Sequence, residues 1–147
     1  MNLATRKEIK KRFGNIKIHP DGFRVNLAKY SGPSGLVKPV VQDKPWGGEV
    51  WLIFTKRYAS KILYIEPHKR FSLQKHKKKE ESWYVASGEA QLTIGKKITK
   101  IKQGSVIHVK ADTVHRIESE KKLVVLWEVS SPELDDVVRL SDDFGRK

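Results

Sequence analysis

The sequence predicts an all-β sandwich or barrel, and three observations carry that reading. From Glu49 onward the chain divides into short apolar runs at Glu49–Phe54, Ser60–Glu66, Glu81–Ser87, Ala90–Ile94, Ser105–Val109 and Leu123–Val129. The turn pairs Ser87-Gly88, Gly95-Lys96 and Gln103-Gly104 punctuate them at roughly ten-residue spacing, the rhythm of short antiparallel strands. A length of 147 residues with no cysteine fits one domain that buries a single core without disulfide staples.

Ahead of these strands, residues 1–41 read as a short helix followed by a hairpin and loop arm, and residues 42–147 as the β domain. Thr5 to Phe13 contains helix formers with Ile9 and Phe13 four apart, so one face is apolar, and Gly14 ends the run. The pieces Ile16-Lys17-Ile18 and Phe23 to Leu27 alternate like strands and are broken by Pro20-Asp21-Gly22 and Ser31 to Gly35. Such an arm can wrap its own barrel or pair with a second copy, so a homodimer is expected. The segment Ser131 to Arg139 reads as a turn or short helical cap before the acidic piece Asp142-Asp143-Phe144-Gly145-Arg146.

Composition narrows the chemistry. Without cysteine, thiolate zinc sites and cysteine nucleophiles are excluded, and any metal must be held by His, Gln, Glu or Asp. The opening Met1 to Lys7 has no apolar leader and no long apolar span follows, so a cytoplasmic protein with no membrane segment is expected. A net charge of +13 fits a solvated Lys/Glu surface, attraction of small anions, or nucleic acid. The lysines are scattered and lack interleaved aromatics, so a nucleic-acid partner is the least favoured of the three.

The chemistry concentrates in Gln74-Lys75-His76, Glu81 and His115. Alternation along a strand sends Gln74 and His76 to one face and Lys75 to the other. Glu81 opens the strand in which Glu81, Trp83 and Val85 share a face, and a hairpin is expected to bring it opposite the Gln74 strand. His115 follows the turn at Lys110 to Thr113 and completes the ring. One amide oxygen, two imidazoles and one carboxylate suit a divalent transition metal. One ion is therefore expected on Gln74, His76, Glu81 and His115, zinc first, with manganese, iron, cobalt and nickel as alternatives. His76, Glu81 and His115 alone also make the two-His-one-carboxylate set of non-haem iron oxygenases. Trp46 and Trp83 are read as core residues before sugar-stacking ones.

At these residues the chain resembles a known family. Glu66 to Gly88 is similar to the first cupin motif and Gly104 to His115 to the second, with Gln74 at the first histidine position. Phe71-Ser72-Leu73-Gln74-Lys75-His76, Glu81-Ser82-Trp83-Tyr84-Val85, Lys44-Pro45-Trp46-Gly47, Lys61, His115-Arg116 and the ending Asp135 to Arg146 resemble the cupin domain of type II mannose-6-phosphate isomerases. The resemblance implies a cupin double-stranded β-helix, or jelly-roll barrel, and a guanylyltransferase domain that often accompanies it; the residues before Val41 are too few to form one. His68 and Asp112 stand where Gly is usual and Lys110 where Pro is usual, which bears on the shape of both turns, while Lys79 stands where Arg is usual, which bears on substrate preference.

The resemblance implies aldose–ketose isomerisation of a phosphorylated hexose, mannose 6-phosphate to fructose 6-phosphate, through an enediol. That reaction needs charge stabilised on oxygen and a group that takes and returns a proton. With Glu81 committed to the metal, His68, Lys79 and Glu80 are the base candidates, and Arg139 matches by loose analogy a catalytic arginine of the wider superfamily. Lys61, Arg116, Arg139 and Lys44 are expected to serve the phosphate. A non-catalytic sugar-binding module is the other alternative.

Overall fold

The computed structural model describes residues 1–22 and 30–147, so the expected strand at Phe23 to Leu27 lies outside the described residues. One helix, α1 (Leu3–Phe13), precedes strands β1 (Ile18–His19), β2 (Val40–Lys44), β3 (Gly47–Phe54), β4 (Ala59–Ile65), β5 (Leu73–His76) and β6 (Glu81–Ser87). Then follow β7 (Glu89–Ile94), β8 (Lys97–Lys102), β9 (Val106–Val109), β10 (His115–Ser119), β11 (Val124–Ser130) and β12 (Val137–Ser141). They form two sheets, ordered β1-β2-β3-β4-β11-β6-β9 and β12-β5-β10-β7-β8. Apart from the parallel β1–β2 pair, neighbours run antiparallel. The six apolar runs all become strands, with ends within two residues of those expected.

The helix starts because the Asn2 side chain accepts a hydrogen bond from the Thr5 N–H at 2.9 Å, and it stops at Gly14, whose N–H caps the Lys10 carbonyl at 2.8 Å. Its apolar face closes the outer side of the larger sheet. Ile9 is fully buried there with Val41, Val50, Ile62, Tyr64 and Val125, and Phe13 packs alongside. Complete burial of a side chain like Ile9 contributes about 1.5–3 kcal/mol, so the helix is held by packing more than by propensity.

Between the sheets lies the main core, with Trp46, Leu63, Ile65, Phe71, Trp83, Val85, Ile117 and Leu126 among its members. The expected packing role of Trp46 and Trp83 holds: both are buried, and Trp46 meets Phe71 edge-on at 4.6 Å. Apolar residues fill one end of the barrel. Toward the other end the same inward-facing rows change to Glu49 on β3, Lys61 on β4, Glu81 on β6 and Glu128 on β11, which makes that end a polar pocket.

Strand β2, which crosses the boundary expected at residue 41, is not read from the sequence, and three further features differ. The segment expected as a turn or helical cap ends in β12, whose β-branched Val137 and Val138 extend along the free edge of β5, with Arg139 opposite Gln74. Strand β8 goes unseen in the sequence because only Ile101 of its six residues is buried, and an exposed, lysine-rich edge strand carries no apolar run. No hairpin joins β5 to β6. The two strands lie in different sheets, so Glu81 faces Gln74 across the barrel interior. Among the described residues, no helix is long and apolar enough to cross a membrane.

Gly47 shows how closely the strands approach. It holds φ 148°, and a Cβ built there would sit 1.8 Å from the Tyr64 carbonyl oxygen. Gly47→Ala is expected to cost roughly 3 kcal/mol or more in urea denaturation, since β3 must move off β4 to admit the methyl; a loss under 1 kcal/mol would show that the strand pair yields.

Candidate metal centre and pocket

Three donors converge at the base of the polar end. His76 closes β5, Glu81 opens β6 and His115 opens β10, and all three are buried with their ligand atoms within 4.8 Å of one another. His76 Nε2 lies 3.2 Å and His115 Nε2 3.0 Å from the same Glu81 oxygen, Oε1. The other ring nitrogens are fixed by carbonyl oxygens: His76 Nδ1 is 3.0 Å from Asp136 O, and His115 Nδ1 is 2.8 Å from Thr113 O. A carbonyl only accepts, so each Nδ1 carries its proton and donates, leaving Nε2 with a lone pair when the ring is neutral.

Two nitrogen lone pairs and a carboxylate oxygen therefore point at one place. His115 Nε2 is buried without a hydrogen bond, although it faces Glu81 Oε1. Such a point calls for a positive charge, supplied by protonating an imidazole or by a cation. The residues present thus fit a divalent metal held by His76, Glu81 and His115. Gln74 sits beside them, opposite His115 on the neighbouring strand. Its Oε1 accepts from the Ser72 hydroxyl at 2.6 Å.

Local backbone contacts hold this geometry. The Asp136 carboxylate accepts from the backbone N–H groups of Lys77, Lys78 and Lys79, while its own carbonyl orients His76. On the opposite side the Asp112 N–H donates to the His76 carbonyl at 2.6 Å, and Lys75 reaches the Asp112 carboxylate at 2.6 Å. Asp112 and His68 both hold φ 60°. The two turns that carry non-glycine residues therefore adopt the left-handed conformation that glycine favours.

Above the donors opens a pocket of about 860 Å³. One wall is a row of alternating charges that follows the strand order of the larger sheet, with Lys79 contributed by the loop before β6. Lys44 of β2 stands 3.9 Å from Glu49 of β3, which stands 3.5 Å from Lys61 of β4. Lys61 is 3.6 Å from Glu128 of β11, Glu128 is 3.3 Å from Lys79, and Lys79 is 2.6 Å from Glu81 Oε2. Trp83 donates its indole N–H to the second Glu128 oxygen at 3.2 Å, and the Lys61 ammonium lies 4.7 Å above the Trp51 ring.

The charges set one another's ionisation. Burial pushes the Glu49 carboxyl up, but Lys61 and then Lys44 bring it below its ordinary value. Burial lowers the Lys79 ammonium, yet Glu128 and Glu81 overcome that and raise it above the usual lysine range. For Glu81 burial is again opposed, here by the His115 and His76 imidazoles and by Lys79, which keep its carboxyl well below the usual range.

Placed in this geometry, the expected site residues separate. Lys44, Lys61, Lys79 and Arg139 line the pocket together with Gln74, His76 and Glu81. Lys79, one of the three base candidates, stands between two carboxylates that favour its charged form. Lys61 is neutralised by Glu49 and Glu128, and Lys44 by Asp21 and Glu49, so neither is a free phosphate cation. Arg139 Nη1 donates to the Lys147 carbonyl at 2.8 Å, and its buried Nε has no partner. Arg116 does not line the pocket: with His115 turned inward, the next residue of the strand faces out, where burial and the Arg70 guanidinium lower its pKa. His68 and Glu80 also stand outside the lining, the latter exposed 3.9 Å from His108.

Glu49, Glu128 and Asp136 escaped the sequence reading. A signal existed for the first two: Glu128 interrupts, and Glu49 opens, a β-branched and aromatic run, and an ionisable residue at an inward position needs a buried partner. Asp136 left none, since its contacts depend on the C-terminal strand folding back over β5.

Comparison with solved structures gives the class. The chain is similar to the capsular polysaccharide assembling protein CapF from Staphylococcus aureus, with 17% identity, TM-score 0.61, and coverage of 71% of this chain and 34% of that one. It is also similar to the Schizosaccharomyces pombe Cnp3 cupin domain, with 16% identity, TM-score 0.51, and coverage of 58% of this chain and 65% of that one. The fold is a cupin barrel. The family model described as Mannose-6-phosphate isomerase C-terminal matches residues 38–142, and the chain belongs to that family. One relative is the alginate biosynthesis protein AlgA of Pseudomonas aeruginosa, 32% identical over 107 residues, which are 70% of this chain and 22% of that protein. The chain spans about a fifth of the length of the curated relatives it matches.

His68→Gly tests the placement of that histidine. A left-handed L residue costs about 1–2 kcal/mol, so the variant is expected to be as stable as the parent in urea denaturation, or more stable. Its metal content should be unchanged; loss of metal would return His68 to the site.

Proposed function

We propose that the chain is a metal-dependent sugar-phosphate isomerase interconverting mannose 6-phosphate and fructose 6-phosphate. The observation that carries this reading is the convergence of His76, Glu81 and His115 below a charged pocket in a member of this isomerase family. The metal, zinc first, would be held by these three residues with Gln74 beside them, and would supply Lewis-acid polarisation of the substrate carbonyl. The protein's own groups bind and orient. An ammonium has three donors, and Lys79 engages two carboxylates, so one N–H remains for a ligand oxygen. Sugar hydroxyls match the alternating wall, donating to Glu49 or Glu128 and accepting from Lys61. Arg139, which has no Asp or Glu partner among the described residues, suits the phosphate, and Lys78 in the same lining adds positive charge.

Metal analysis combined with a coupled assay on several hexose phosphates tests the reading. Stoichiometric metal, turnover of mannose 6-phosphate, and loss of turnover on chelation or in His115→Ala are the expected outcomes. Metal-replete protein that binds hexose phosphate without converting it would instead make the chain a binding module, and oxygen consumption with iron(II) would make it an oxygenase.

A homodimer accompanies this proposal. Val106 on the edge strand β9, Tyr84, Trp127 and Val129 form an exposed apolar strip on the outer face of the larger sheet, in a chain that otherwise repels its copies through net charge. In size-exclusion chromatography with light scattering the parent is expected to run as a dimer and Trp127→Lys as a monomer. A monomeric parent at micromolar concentration removes the proposal.

A further inference from the structure

Resting on the reading that His76, Glu81 and His115 hold a metal, we infer that Glu128 is a positioning residue for that centre, acting through Lys79. Glu128 touches none of the three ligands. It is buried on β11 directly opposite Trp83 of β6, and its two oxygens are used differently. Oε2 accepts the Trp83 indole N–H, which fixes the plane of the carboxylate and leaves Oε1 facing both Lys79 and Lys61. Lys79 in turn engages Glu81 through Oε2 alone at 2.6 Å, so Glu81 Oε1 is the oxygen presented to the two imidazoles.

The sign of the charges makes this consequential. A lysine ammonium in contact with a metal-ligating carboxylate opposes the approach of a second cation and competes for the same negative charge. Glu128 offsets that opposition. It supplies Lys79 with another carboxylate, draws the ammonium toward β11 and leaves more of the Glu81 charge for the metal. Lys61 provides a built-in contrast, because it contacts Glu128 at 3.6 Å but makes no contact with Glu81.

The test is metal affinity of the full chain, read by zinc competition against a chromophoric chelator, with circular dichroism and thermal melting of the metal-free protein beside it. Glu128→Gln is expected to bind zinc about tenfold or more weakly, the effect typical of groups that orient ligands. Adding Lys79→Met to Glu128→Gln removes the uncompensated cation, and most of the lost affinity is expected to return. Lys61→Met is expected to bind at least as tightly as the parent, since Glu128 is then left to Lys79. Should Glu128→Gln fail to fold, Glu128→Asp decides, because it keeps the charge but withdraws it from Lys79; a weakening of about threefold or more is expected there. Parent-like affinity in the folded Glu128 variants, or a double variant no tighter than Glu128→Gln, overturns the inference. A parent that binds no zinc at all overturns the metal-centre reading, a result distinct from either.

Discussion

Across the inner face of the larger sheet runs a row of buried and half-buried charges in which every ammonium stands between carboxylates and every carboxylate beside an ammonium. Taking such groups out of water costs several kcal/mol per ion, and removing one partner of a buried pair costs about 3–5 kcal/mol. The row is therefore stable only as a whole. Its alternation follows strand order, Lys44, Glu49, Lys61 and Glu128 coming from β2, β3, β4 and β11, with Lys79 and Glu81 closing it at β6. The same strands turn their opposite faces to α1 and to solvent, so a single pleat builds an apolar outer layer and a charged inner wall.

That wall gives the pocket its character. A protein with a net charge of +13 would be expected to present a cationic cavity, yet three of its pocket lysines are offset within 4 Å by carboxylates. The excess positive charge lies elsewhere on the surface. Inside, ammonium and carboxylate groups stand side by side, a surface suited to hydroxyl groups, which both donate and accept.

The donor cluster depends on this wall from one side and on backbone from the other. Glu81 arrives on β6 already bonded to Lys79, while His76 and His115 arrive on the smaller sheet with Nδ1 committed to carbonyls. Asp136 links the two, since its carboxylate gathers the Lys77 to Lys79 loop and its carbonyl orients His76. The C-terminal strand is thus as much a part of the centre as the ligands, and the left-handed turn at Asp112 brings its N–H onto the His76 carbonyl.

By itself the sequence determined the β periodicity, the single helix with its Gly14 stop, and the types of donor available for a metal in a chain without cysteine. These are local properties: alternation decides which face a side chain takes, and His76, Glu81 and His115 each declared an inward face. Strands β8 and β12 and the pairing of β5 were not legible, because an edge strand has little buried surface to print an apolar pattern, and partner choice rests on contacts distant in sequence. The roles of the cations followed the same division. Lys61 and Lys44 read as free phosphate ligands, Arg116 as a pocket residue and His68 as a base, since charge and chemistry are visible in a string of residues. Only the tertiary structure placed Glu49 and Glu128 beside the lysines, turned Arg116 outward and set His68 outside the pocket, because neutralisation and direction are fixed by which strands become neighbours.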